Sequence, residues 1–212
     1  MGHARAVADL TRAGDERPAD PVTALDLYWI PLGAGAGVGA RVVRTSGRIY
    51  DALLALVQRR RRAALYHAAL IATTPAGTVT VEMTPVPDAD GAHERGAVAQ
   101  GAVGSALLGR FRLFRYEVRR WPGGNIPDLA FAVDSPVRLT DEPAAVERAL
   151  AALPGVPTYV WGRDQLRAGE MCNSNSVVSW TLSRAGLVDR AGAPPAGGRA
   201  PGWDAGLLAA HR

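Results

Sequence analysis

Apolar residues recur along this chain in two periods, and the points where one period gives way to the other predict its elements. Leu25-Asp26-Leu27-Tyr28-Trp29-Ile30-Pro31-Leu32 reads as a first strand. The glycine run Gly33 to Gly39 follows it; because Arg41-Val42-Val43-Arg44 separates the run from the next helix, it reads as a flexible loop at the site edge and not as a dinucleotide-binding turn. Ser46 then caps a predicted helix whose Ile49, Leu53, Leu56 and Val57 form one apolar face. Two β-prone runs come next, Tyr66 to Ala72 and Gly77 to Pro85. Beyond the loop Pro85 to Gly104, strands are predicted around Leu107 to Trp121 and Leu129 to Val133. Within the first of these the alternation changes phase at Leu113-Phe114, the mark of a bulge or of a strand covered on both faces. Asp141-Glu142-Pro143 opens a helix that directs Val146, Leu150 and Leu153 to the core, and a last helix begins near Asn173. A Pro- and Gly-rich tail, Ala191 to Gly202, leads to Trp203 and Leu207-Leu208. Helices and antiparallel strands in this order predict an α+β fold.

The pair of runs around Thr73-Thr74-Pro75-Ala76 reads as a β-hairpin. Val79, Val81 and Met83 point to one side of its second strand, and Thr80, Glu82 and Thr84 to the other. With Thr73 to Ala76 as the loop, Ala72 faces Gly77 and the ladder sets His67 directly opposite Glu82. A carboxylate across from an imidazole fixes its tautomer and stabilises the imidazolium formed when the ring takes a proton. Outside a site, the same pair is a surface ion pair worth a few tenths of a kcal/mol.

Met171-Cys172-Asn173-Ser174-Asn175-Ser176-Val177-Val178-Ser179-Trp180-Thr181-Leu182 places nucleophile candidates at the first turn of the last predicted helix. Val177, Val178, Thr181, Leu182 and Ala185 fall on one buried face, and Gly186 closes the helix. Free backbone N–H groups at such a start stabilise a thiolate, an alkoxide or the oxyanion of an acyl-transfer intermediate. The competing role for Asn173, Ser174, Asn175 and Ser176 is capping alone.

His67, Glu82 and the Asn173 helix, in that order, resemble the circularly permuted NlpC-like, lecithin:retinol acyltransferase-like branch of the papain-fold superfamily. The resemblance spans roughly Leu25 to Arg190 and rests on His67-Ala68-Ala69-Leu70, Glu82-Met83-Thr84-Pro85 and Asn173-Ser174-Asn175-Ser176-Val177-Val178. It implies a papain-like antiparallel sheet packed against a nucleophile-bearing helix, with His67 as base, Glu82 as third member and the nucleophile last. The family helix runs acidic or Asn, Cys, two small or polar residues, then two apolar ones, which puts Ser174 at the nucleophile position. The only cysteine, Cys172, comes two residues earlier. Register favours Ser174 and intrinsic nucleophilicity favours Cys172, so both stand as candidates, together with a site that no longer catalyses.

Composition bounds the remainder. A chain of 212 residues, 48% hydrophobic, supports one substantial core. We divide it into a loose N-terminal tail, 1–22, and a single domain, 23–212. One cysteine leaves no intrachain disulfide framework, and the scattered His3, His67, His93 and His211 lack metal-ligand spacing, so neither metal nor cofactor is expected. The polar start and the lack of a membrane-length apolar stretch predict a cytoplasmic protein without a membrane span. Every one of the 24 cationic residues is arginine, which removes lysine nucleophiles and Schiff bases. Arg59 to Arg62 complement the end of the Ser46 helix, whereas Arg110, Arg112, Arg115, Arg119 and Arg120 crowd one strand region suited to an anionic substrate or nucleic acid. With no aromatic-basic platform beside them, a nucleic-acid partner is not favoured. The expected function is acyl transfer on a small-molecule or peptide substrate with an amide or ester carbonyl, by hydrolase, amidase or acyltransferase chemistry. The alternative is a non-catalytic binding module retaining the papain-like fold.

Overall fold

A computed structural model describes residues 22–32, 34, 63–86 and 96–212. The Ser46 helix, Arg59 to Arg62, almost all of the N-terminal tail and most of the glycine run lie outside the described residues.

The chain folds as an α+β domain around an antiparallel sheet. Its strands are β1 (Ala24–Pro31), β2 (Tyr66–Thr74), β3 (Gly77–Pro85), β4 (Ala97–Ala102), β5 (Arg115–Pro122) and β6 (Val133–Thr140). They lie in the order β4-β5-β3-β2-β1-β6. Three helices follow in sequence: α1 (Pro143–Ala152), α2 (Ser174–Ala185) and α3 (Trp203–Ala210). No helix among the described residues is long and apolar enough to cross a membrane.

Period-two alternation divides the sheet into two unlike faces. Leu25, Leu27 and Trp29 on β1, Ala68 and Leu70 on β2, Val81 and Met83 on β3 and Tyr116 and Val118 on β5 form the apolar face. The helices cover it with Val146, Leu150, Val177, Val178 and Leu182. Each large aliphatic side chain withdrawn from water here contributes about 2 kcal/mol. On the opposite face, ladder register aligns Asp26, Tyr28 and Ile30 with Ile71, Ala69 and His67, then Thr80 and Glu82 with Trp121 and Arg119. Ile30 and Ala69 are covered there by Ile126, on the run into a 3-10 turn at Pro127–Phe131.

Local expectations hold for α1 and α2, whereas α3 is an addition: Trp203 and Leu207-Leu208 read in sequence only as the end of the Pro- and Gly-rich tail. Pro143 starts α1, which buries Val146 and Leu150, and Leu153 is buried in the turn that follows. Asn173 caps α2 in a reciprocal capping box with Ser176, and Gly186 ends it at φ 72°.

Strand boundaries need three corrections. β4 occupies part of the expected loop Pro85 to Gly104; its sequence, Ala-Val-Ala-Gln-Gly-Ala, has too few large side chains to show an alternating pattern. The phase change at Leu113-Phe114 is neither a bulge nor a strand: 3-10 turns at Leu108–Arg110 and Arg112–Phe114 precede β5, which starts at Arg115. Leu129 belongs to the 3-10 turn, and the strand β6 begins only at Val133.

The hairpin also closes more tightly than expected. Thr74 pairs with Gly77 across a turn of Pro75 and Ala76, in place of a loop from Thr73 to Ala76. Thr74 Oγ1 donates to Gly77 O at 2.8 Å, and Gly77 adopts φ 116°, a conformation that L side chains rarely take. Ala72 therefore pairs with Val79, not with Gly77, and the ladder slides by two positions. An even slide preserves facing but changes opposite partners.

Candidate active site

The β2–β3 ladder runs from Thr74↔Gly77 to Leu70↔Val81. Beyond it, the first turn of α2 supplies the partner for β2. Asn175 Oδ1 accepts from Ala68 N at 2.7 Å, while Asn175 Nδ2 donates to Tyr66 O at 3.0 Å and to Pro201 O at 2.9 Å. One buried amide thus reproduces the hydrogen bonds a neighbouring strand would make on either side of His67. Position 175 shares a helical face with Val178 and Leu182, so a polar group on that apolar stripe required a partner.

Clamping β2 to the helix start brings the predicted nucleophile and base together. Ser174 Oγ lies 2.8 Å from His67 Nδ1. Burial pushes the His67 imidazole down to about 4, and the Asp128 carboxylate acts in the opposite direction. Asp128 sits in the 3-10 turn that follows Ile126, which packs with Ile30 and Ala69; Ile30 is the cross-strand partner of His67. The ring is therefore neutral at pH 7 and able to accept a proton.

The helix start offers fewer free donors than its sequence promises. Asn175 N donates to Asn173 Oδ1 at 2.9 Å and Ser176 N to Asn173 O at 3.0 Å. Of these N–H groups only that of Ser174 has no hydrogen-bond partner among the described residues, so the expected help from its neighbours in holding an oxyanion is not available.

Glu82 shares the His67 face, as expected, but the expected pairing with His67 is replaced by another. Its cross-strand partner is Arg119 on β5, whose Nη1 lies 3.5 Å from Glu82 Oε2. Arg119 Nε also donates to the fully buried Glu117 at 2.5 Å. Burial raises the Glu82 pKa, with Arg119 lowering it and Glu117 raising it. The two-position slide of the hairpin removes Glu82 from the position directly opposite His67, and β5, on the other side of β3, supplies Arg119 as its neighbour.

Cys172 faces a different environment. It is 4% exposed and packs with Leu166 and Ala205. Its backbone is held on both sides, N to Arg163 O and O from Gly162 N, each at 2.9 Å. Burial, then the charge of Asp164, pushes its thiol pKa up.

A second contribution comes from the segment that reads in sequence as a Pro- and Gly-rich tail. Arg199 bridges to β2 through Arg199 N→Ala64 O and Tyr66 N→Arg199 O, both 2.8 Å. Pro201 O receives Asn173 Nδ2 as well as Asn175 Nδ2, and Gly202 O receives Ser176 Oγ at 2.7 Å. Gly202 has φ 90°, and a Cβ there would collide with Asn173 Oδ1, so this strap closes on the capping box only through glycine. Glu170 holds it from beneath, accepting from Gly202 N at 2.8 Å and Arg199 Nη2 at 2.9 Å.

The geometry assembles a hydroxyl, a neutral imidazole and a free backbone N–H at the start of a buried helix. Such a set deprotonates a hydroxyl for attack on a carbonyl and receives the charge that develops on oxygen. No family model matches the chain, and neither a curated protein nor a solved structure matches it.

Proposed function

We propose that the protein is an acyl-transfer enzyme of papain-like, permuted NlpC-like architecture, with Ser174 as nucleophile and His67 as base. The observation that carries this reading is the 2.8 Å contact between Ser174 Oγ and His67 Nδ1. His67, with its proton on Nε2, takes the Ser174 proton as Oγ attacks an amide or ester carbonyl. The Ser174 N–H and the positive end of α2 face the charge on the carbonyl oxygen. The imidazolium then protonates the leaving group, giving an acyl-serine ester. Water or another acceptor, deprotonated by the same ring, attacks that ester and restores Ser174. Asp128 favours the imidazolium electrostatically, in the role the resemblance assigns to Glu82. The buried, proton-retaining Cys172 thiol supports serine over cysteine chemistry.

The rival reading, a non-catalytic binding module, is favoured by one feature: among the described residues no carboxylate hydrogen-bonds His67, whose only side-chain bond is to Ser174. Intact-mass analysis after fluorophosphonate treatment separates the two. The acyl-transfer reading expects one adduct in the wild type and in Cys172→Ala, and none in Ser174→Ala or His67→Asn. A wild-type protein that stays unlabelled while turning over no ester or amide would leave the binding module ahead.

A further inference from the structure

The arginine-rich run between β4 and β5 serves neither the core nor the Ser174 site. Leu107 is 80% exposed and Leu113 82%, with Phe111 at 50% and Leu108 at 37%. Arg110, Arg112 and Arg115 are exposed among them, and from Ser105 to Arg115 there is no acidic residue. The backbone is nonetheless ordered by hydrogen bonds. Phe111 N donates to Leu108 O at 2.9 Å, Phe114 N to Phe111 O at 3.0 Å, and Arg115 Nε to Gly109 O at 2.7 Å. The Arg110 guanidinium stands 4.8 Å from the centre of the Phe111 ring.

Holding large apolar side chains in water is unfavourable, and a contiguous group of them marks an interaction surface. We propose that Leu107 to Arg115 forms a docking surface for an anionic lipid membrane. Exposed apolar residues and arginines are interspersed along two consecutive short turns, Leu107 and Leu108 before Arg110, and Phe111 and Leu113 on either side of Arg112. That arrangement suits a fluid bilayer, where individual side chains enter the acyl boundary while arginines stay with the headgroups. A nucleic acid would engage the arginines but leave Leu107 and Leu113 without a role. The surface leads into β5, whose Tyr116 pairs with Pro85 at the end of the sheet that also carries His67. Docking therefore turns the Ser174 end of the sheet toward the membrane. It does not depend on the acyl-transfer reading.

The test is co-sedimentation of the full chain with phosphatidylcholine vesicles and with vesicles that also contain phosphatidylserine. The expected result is binding to the mixed vesicles that weakens with salt and is weak on phosphatidylcholine alone. Arg110→Gln with Arg112→Gln lowers that binding by about fivefold for each arginine removed. Leu107→Ser with Leu113→Ser lowers it by about tenfold or more. Ser174→Ala binds as wild type. Absence of binding to either vesicle, or equal binding by wild type and both double variants, overturns the proposal. So does a wild-type dimer that is lost in the Leu107→Ser, Leu113→Ser variant without vesicle binding, which would assign the surface to a second copy of the chain.

Discussion

Cys172 and Ser174 stand on either side of the α2 cap and meet opposite surroundings. Cys172 lies in a backbone-bridged stretch against Leu166 and Ala205, where burial holds the proton on sulfur. Ser174 begins the helix, with its hydroxyl on His67 and its N–H without a hydrogen-bond partner among the described residues. Intrinsic reactivity ranks the two one way, and position reverses the ranking. A thiol kept protonated by apolar walls is a packing group, whereas a weaker hydroxyl placed against a neutral imidazole has the partner its chemistry requires.

The sharpest way to break this contrast is to remove each group in turn. Ser174→Ala is expected to lower turnover by about 10⁴-fold or more, with fluorophosphonate labelling lost and thermal stability nearly unchanged. An active Ser174→Ala beside an inactive Cys172→Ala would reverse the assignment.

Asn175→Ala probes what holds the serine side together. It leaves Ala68 N and Tyr66 O without their side-chain partner, so we expect a loss of about 2–4 kcal/mol in chemical denaturation, together with lower activity. A variant as stable as wild type would show that β2 does not need the clamp.

The proton equilibrium of His67 offers a third comparison. Its folded value of about 4 lies below the ordinary 6.5, so the folded state binds fewer protons than the unfolded state between those values. Stability should be full above pH 6.5, fall as pH drops from 6.5 toward 4 and level off below. His67→Gln should flatten that part of the profile. The acid limb of kcat/KM should likewise lie near pH 4, and Asp128→Asn should move it lower by removing the charge that favours the imidazolium. An acid limb at 6.5 in the wild type would show a solvated ring.

The smallest effect belongs to the other side of the cap. Cys172→Ala removes one buried sulfur, so the expected cost is about 1 kcal/mol of stability with turnover retained. Thiol labelling of the native protein should be slow and should accelerate in denaturant.

What could be read from the sequence follows the range of the forces involved. The start, buried face and end of α2 depend on an Asn cap, a 3.6-residue stripe and a terminal glycine, all within one short segment, and they were legible. The same holds for Pro143 at the start of α1 and for the two faces of β3. The pairing of Ser174 with His67 was not legible from the residues alone; it came from the family resemblance, whose helix pattern points to position 174. Nor was the pairing of Glu82 legible, since its partner depends on a turn whose length local sequence left open and on Arg119 in a strand far along the chain. Asn175 reads locally as a cap; only the meeting of α2 with the open edge of β2 turns its amide into a substitute strand. Likewise Asp128, and the strap from Arg199 to Gly202, have no local signature of a site. Short-range backbone and helix preferences were written in the sequence itself, whereas the hydrogen-bond partners of buried polar groups were decided only when distant segments packed against one another.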